Sequence, residues 1–278
     1  MKQVPAVTTT RGAHLTAFDA LSVLPAEWRA KMAEHELVPV TSGESGACVF
    51  RILDAAAGDR YLKIATGAGA DHLRREVERT EWLASAGIRV PEVLLRFDGN
   101  AAFAVTMAAL DGQSAACTGA ENWRPVVTAI AQAFAAIHAL PVNACRFDET
   151  LSVRLARAHD LVRRGEIDSS QFDARNAAVA PQHLYERLMA SIPDREDGVV
   201  IHGDATLSNL IFANDGKIGF VDCGNCGKSD RYVDLAPLVG ELADRFGSEA
   251  RSVFLQTYGK PEWDDRKAEF YRDLYELF

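Results

Sequence analysis

The 278 residues are 48% hydrophobic and 25% charged, a composition that excludes a disordered chain and is large enough to predict more than one lobe. The formal net charge of −9 argues against nucleic acid, whose affinity rests on Lys and Arg against phosphate, and suits a cationic ligand better. No apolar run approaches the ~18 residues of a membrane span and the N-terminus lacks the apolar stretch of a secretory signal, so the expectation is a soluble, cytoplasmic protein without membrane or nucleic-acid partners.

The first ~14 residues are polar and predict a loose start. Ala26–Leu37 reads as a short helix. Thr41–Leu53 reads as a turn entering a strand, and Asp59–Thr66 as its hairpin partner. Ala70–Ile88 is helical: Leu73, Val77 and Leu83 recur near helical spacing, and Gly87 stops the run. Val90–Asn100 and Ala101–Leu110 read as two further strands. Beyond Leu110 the texture turns helical. Trp123–Leu140 places Val127, Ile130, Phe134, Ile137 and His138 on one face. Further helices are predicted near residues 151–164, 181–191, 231–246, 248–257 and 264–277. Val199–Asp222 is the exception: strand, polar loop, strand, a tight turn at Asn214–Gly216, and strand. The expected fold class is α+β: residues 1–108 form a small antiparallel β lobe with one main helix, and residues 109–278 form a larger, mostly helical lobe, joined by a connector near Met107–Gly112.

Five scattered cysteines argue against a disulfide framework. Cys223 and Cys226 form a single C-x-x-C, read as two loop thiols without zinc.

The chemistry concentrates in Val199–Asp222, where Asp204 is followed by Asn209, and Asp222 ends the last strand. The turns predict these three at one end of the hairpin. Two carboxylates and an amide suit a hard cation such as Mg²⁺ completed by phosphate oxygens; alternatively, one carboxylate accepts a hydroxyl proton. Upstream, Lys63 sits inside an apolar strand and Glu76 shares the inward helical face of Leu73 and Val77. An inward Lys and an inward Glu can pair, and a lysine so held neutralises phosphate. Arg74, Arg75, Glu78 and Arg79 are easier to place in solvent. The Thr41–Gly46 turn offers backbone N–H groups eased by Gly43 and Gly46, with Ser42 and Ser45 as hydroxyl donors to phosphate.

These motifs ("SGESGACVFRI", "YLKIA", Glu76, "IHGDATLSNLIF", "GFVDCG", "KSDRYVDLA" and the terminal "FYRDLYELF") resemble the aminoglycoside phosphotransferases, whose fold is that of the protein kinases, and most closely the aminoglycoside 3′-phosphotransferases. The resemblance covers about residues 36–278. It implies a two-lobed kinase-like enzyme that moves the γ-phosphate of ATP, with GTP as the alternative, to the 3′-hydroxyl of a kanamycin- or neomycin-type antibiotic, giving resistance. It implies that Asp204 orients or deprotonates the attacking hydroxyl. Asn209 and Asp222 hold Mg²⁺, Lys63 contacts the nucleotide phosphates with Glu76 placing it, and Met107–Leu110 faces adenine. His202 braces the loop. Asp173, Glu276 and the Phe278 carboxylate grip ammonium groups of a polycationic substrate, with Glu241, Asp244 and Asp273 as substitutes. Ala174 and Tyr275 stand where acidic residues are common, and Asn225 where some members carry Arg. The alternative is a kinase of another small aminated or sugar-like metabolite. A nucleotide-binding protein without turnover is a third reading, opposed by the intact Lys63, Asp204, Asn209 and Asp222 set.

Overall fold

The computed structural model describes residues 17–40, 46–56, 58–259 and 262–278. The chain packs as two units, one of residues up to Arg75 with Val93–Ala109, the other of Glu76–Glu92 with Leu110–Phe278. Ser42 and Ser45 lie outside the described residues.

The first unit opens with helices α1 (Ala17–Ser22) and α2 (Ala26–Ala33) and continues through strands β1 (Glu36–Val40), β2 (Cys48–Leu53) and β3 (Arg60–Thr66). Helix α3 (Gly67–Ser85) follows and runs on into the second unit; β4 (Val93–Asp98) and β5 (Ala102–Ala108) complete an antiparallel sheet of order β1-β2-β3-β5-β4. Alternation along β3 buries Leu62 and Ile64 with Phe50, Ile52, Ala104 and the Trp28 and Met32 side chains of α2. Lys63 therefore points to the opposite face, in register with Val49 and Val105. The sequence reading runs the first helix to Leu37, but α2 stops at Ala33 and Glu36–Val40 is the sheet's edge strand. Pro39 fits the correction: it disfavours helical backbone at the preceding Val38 and is tolerated on an edge strand.

The second unit comprises the C-terminal half of α3, β6 (Gln113–Ser114), α4 (Trp123–His138), α5 (Leu151–Arg164), α6 (Pro181–Met189), β7 (Gly198–Ile201), β8 (Leu210–Phe212), β9 (Ile218–Phe220), β10 (Gly227–Asp230), α7 (Tyr232–Phe246), α8 (Ser248–Tyr258) and α9 (Asp265–Tyr275). Val127, Ile130, Phe134 and Ile137 of α4 pack with Val200, Leu210, Phe220 and the apolar sides of α7 and α8. Val199 and Ile201 instead enter a second cluster with α5, α6 and α9. β7 is thus a two-sided strand whose alternation feeds both cores. It pairs with β10, while β8 and β9 form the predicted hairpin and β6 flanks β8. The polar β10 and the two-residue β6 carry no alternating signal and are absent from the sequence reading.

Arg79 corrects another expectation. It is buried, and its guanidinium donates to Glu149 at 2.7 Å and to the Gly224 carbonyl. Glu149 is fully buried and also accepts from Arg157 at 3.0 Å. A buried carboxylate needs such pairing, and α3 supplies it. No described helix is long and apolar enough to cross a membrane.

Candidate active site

Between β7 and β8 the chain turns through His202–Asn209. Gly203 makes that turn: its φ is +89°, and a Cβ would fall 2.1 Å from the Asn225 carbonyl oxygen. Only glycine meets both demands. Its N–H donates to Asp234 Oδ1 at 2.7 Å, and the His202 N–H donates to Asp234 Oδ2 at 2.7 Å. His138 Nε2 stands 3.0 Å from the same Oδ2. Burial would push the Asp234 carboxyl up; the His138 bond and nearby charge, with the Gly203 N–H, outweigh it and hold it below the usual carboxylate range. An ionised carboxylate buried in α7 thereby anchors the backbone ahead of Asp204.

His202 is fully buried, with Nε2 2.9 Å from the Val221 carbonyl and Nδ1 3.3 Å from the Asp204 N–H. Both ring nitrogens are occupied in bracing, with Nε2 as donor and Nδ1 as acceptor. The Asp204 carboxylate is held at both ends. Asn209 Nδ2 donates to Oδ2 at 2.9 Å, and the Tyr275 hydroxyl donates to Oδ1 at 3.0 Å. The Val221 N–H donates to the Asn209 carbonyl at 3.0 Å, carrying the chain from β9 back to the same end. Asp222 follows with φ 56°, the only non-glycine among the described residues in the left-handed region. That conformation costs on the order of 1 kcal/mol or more and is characteristic of functional turns. The structure thus brings Asp204, Asn209 and Asp222 to one end of the hairpin, as the spacing predicts.

With its amide nitrogen given to Asp204, Asn209 retains its side-chain oxygen as its acceptor. Asn209 and Asp222 together present oxygen donors of the kind a hard cation takes, with phosphate and water for the rest. No group of three or more His, Cys, Asp or Glu side chains among the described residues forms a closed metal site. Cys223 and Cys226 are fully buried and not joined in a disulfide, and burial pushes the Cys226 thiol up. A Cys223→Ala/Cys226→Ala variant is expected to show unchanged zinc content by elemental analysis, with about 1–2 kcal/mol lost in melting from emptied packing volume. Zinc present in the parent and lost from the variant would reverse that reading.

Beside Asp204 lies a cavity of about 500 Å³ lined by Asp173, Thr206, Glu241, Asp244, Tyr275 and Glu276, with Arg245 and Arg272. Its size suits a small ligand. The carboxylates differ in availability. Asp173 pairs with Arg175 at 2.9 Å and Arg272 at 3.2 Å. Burial would raise its carboxyl, but the Arg175 bonds hold it low. Glu276 accepts from Asn176 at 2.9 Å and from the Asp173 N–H at 3.2 Å. Burial keeps its carboxyl above the usual range. Glu241, likewise raised by burial, accepts the Leu207 N–H at 2.9 Å. Asp273 is buried against Arg187 at 2.7 Å and supports the fold rather than the cavity. Phe278 does not line the cavity; its ring lies over Arg154 and Arg157.

Lys63 lies half-buried on β3 in the first unit, and Glu76 is buried on α3 in the second. The chain passes between the units at Ala109–Leu110, just beyond the buried Met107. The Tyr275–Asp204 bond and the Asp234 anchor are absent from the sequence reading. The Asp of "YVDLA" is visible there, but nothing in one sequence shows what it holds.

Residues 36–271 match the APH family model, described as a phosphotransferase enzyme family. Streptomycin 3″-kinase of Streptomyces griseus is 33% identical over 84% of this chain and 89% of its own. Aminoglycoside 3′-phosphotransferase of Streptomyces fradiae is 35% identical over 90% of this chain and 98% of its own. The crystal structure of an aminoglycoside-3′-phosphotransferase of type VIII superposes with a TM-score of 0.85 at 30% identity, covering 95% of this chain and 99% of that one. The aminoglycoside phosphotransferase APH(3″)-Id of Streptomyces rimosus, in complex with ADP and streptomycin, superposes with a TM-score of 0.82 at 29% identity, covering 95% and 98%.

Proposed function

The chain belongs to the APH phosphotransferase enzyme family, and from that premise we propose that it transfers the γ-phosphoryl group of ATP to a hydroxyl of an aminoglycoside. The 3′-hydroxyl of a kanamycin- or neomycin-type compound is the assigned acceptor, and resistance to that compound is the consequence in a cell. The observation that carries the reading is the Asp204 carboxylate, held by Asn209 and Tyr275 beside an acidic, ligand-sized cavity.

In this reading Asp204 takes the proton of the acceptor hydroxyl as its oxygen attacks the γ-phosphorus and the bond to the β-phosphate oxygen breaks, so that ADP leaves. Asn209 and Asp222 would hold Mg²⁺, which would supply charge neutralisation to the phosphates. Lys63 and Glu76 serve the nucleotide phosphates, and Met107 and Leu110 the adenine, as the family resemblance assigns them. Asp173 and Glu276, which the family resemblance assigns to the acceptor's amino groups, are already paired with Arg175, Arg272 and Asn176, so the charge that favours those groups lies mainly with Glu241 and Asp244 on the α7 side.

The test is coupled nucleotide turnover across aminoglycosides and small alcohols, with product NMR to locate the phosphate. Turnover of an aminoglycoside at 3′ is the expected result; turnover only of other alcohols would replace the substrate class. The pairing of Asp173 and Glu276 with arginine and asparagine favours a second reading, an acceptor of lower positive charge within the same chemistry. A separate measurement checks the metal role. Titrating ATP with and without Mg²⁺ is expected to show tighter binding with the ion in the parent and none of that gain in Asp222→Ala, because a hard cation loses a carboxylate ligand. Equal enhancement in both would remove Asp222 from the metal.

A further inference from the structure

Resting on the phosphotransferase reading, we propose that Tyr275 is a positioning and specificity residue: its phenol fixes Asp204 Oδ1 and reserves the space beside the reacting hydroxyl for an uncharged part of the acceptor. The observations come from two walls of the cavity. Tyr275 is the last residue of α9, half-buried, and lines the cavity next to Asp204. Its hydroxyl donates to Oδ1 at 3.0 Å while Asn209 donates to Oδ2 at 2.9 Å. A carboxylate tied at both oxygens cannot swing about its side-chain torsion. Each carboxylate oxygen still has a second lone-pair direction, so Oδ1 can receive an acceptor hydroxyl as well. Positioning of this kind is where phosphoryl-transfer enzymes find most of their rate.

The α9 wall also sets charge. Tyr275 is neutral, and Arg272, one turn earlier on the same helix, lines the cavity as a cation. Asp173 and Glu276 beside them are already engaged by Arg175, Arg272 and Asn176. The α7 wall instead carries Glu241 and Asp244. Arg245, which follows them, donates to the Ala116 carbonyl. On the α9 side Arg272 offsets Glu276 and Tyr275 is neutral, whereas Glu241 and Asp244 outweigh Arg245 on the α7 side, so an acceptor meets little net charge beside Tyr275 and net negative charge toward α7. Its cationic groups belong toward α7, with the phosphorylated hydroxyl and its uncharged neighbours toward Tyr275.

Tyr275→Phe keeps the ring and removes one hydroxyl. With the full-length chain and an accepted aminoglycoside, kcat is expected to fall about tenfold, the scale of one lost hydrogen bond to a charged group, while KM for ATP and the melting temperature stay put. A purely structural tyrosine would move the melting temperature and the nucleotide KM instead. Tyr275→Asp tests the charge: KM for a fully aminated acceptor should fall relative to that for the same acceptor N-acetylated. Unchanged kcat in Tyr275→Phe overturns the positioning role, and an unchanged KM ratio in Tyr275→Asp overturns the specificity role. Slow phosphoryl transfer to water, followed as ADP release without acceptor, should show the same fall in Tyr275→Phe. That arm reads the hold on Asp204 without an aminoglycoside, so its failure is distinguishable from a failure of the substrate assignment.

Discussion

Asp204→Asn is expected to lower kcat by ~10²–10⁴, the usual cost of removing a positioned general base, while ATP affinity and melting temperature stay close to those of the parent. The geometry makes this substitution unusually clean. Asn209 Nδ2 donates to one oxygen of Asp204, and the Tyr275 hydroxyl donates to the other. An asparagine here can keep its oxygen toward Asn209 and turn its NH₂ toward the Tyr275 oxygen, because a hydroxyl accepts as well as donates. Both contacts survive in altered polarity, and the loop keeps its shape. What disappears is the carboxylate that the proposed reading makes the acceptor for the substrate's proton. Steady-state kinetics, an ATP titration and a melting curve on one preparation check all three statements. A variant retaining near-parental kcat on a good substrate would remove Asp204 from its role.

Much of this site was legible in the sequence because its signals are local. Four residues separate Asp204 from Asn209, and the Asn214–Gly216 turn folds β9 back so that Asp222 arrives beside them. Each step is set by short-range chain geometry. The burial of Glu76 followed from its helical spacing to Leu73 and Val77 for the same reason. The failures share the opposite cause. Arg79 looks like a solvent charge on α3 until Glu149, 70 residues away, is folded against it. Tyr275 reaches Asp204 across 71 residues. β10 is polar and becomes a strand only because β7 offers it a backbone ladder. β1 hides its strand behind a proline and a mostly exposed pattern. Long-range pairing of polar groups leaves no period in a single sequence. Its clearest trace here was a residue out of place, the tyrosine where an acidic side chain is common.

The other large effect is expected from Asp234→Ala, which should cost about 3–5 kcal/mol, since three buried donors lose their acceptor at about 1–3 kcal/mol each. Asp234 is fully buried and satisfies three donors: the His202 and Gly203 N–H groups and His138 Nε2. Alanine leaves all three without an acceptor in a place water does not reach, and each orphaned donor carries its own desolvation cost. A loss of this size corresponds to roughly 10 °C in melting temperature for a chain of this length. The rate should suffer too, because the two N–H groups belong to the residues immediately before Asp204, and a small displacement of that carboxylate is costly. Asp234→Asn should fall between parent and alanine, since its oxygen satisfies one side of the cluster while its NH₂ faces a donor on the other. The pH dependence gives a second check. The Asp234 carboxyl is held below its ordinary value in the folded chain, so the stability it contributes is fully present above the unfolded value of about 3.9 and is lost as pH falls through the lower folded value. The melting curves of parent and Asp234→Ala should therefore lie furthest apart near neutrality and converge below about pH 4. A gap that stays constant from neutral to acid pH would mean that the ionised Asp234 is not what holds the loop ahead of Asp204.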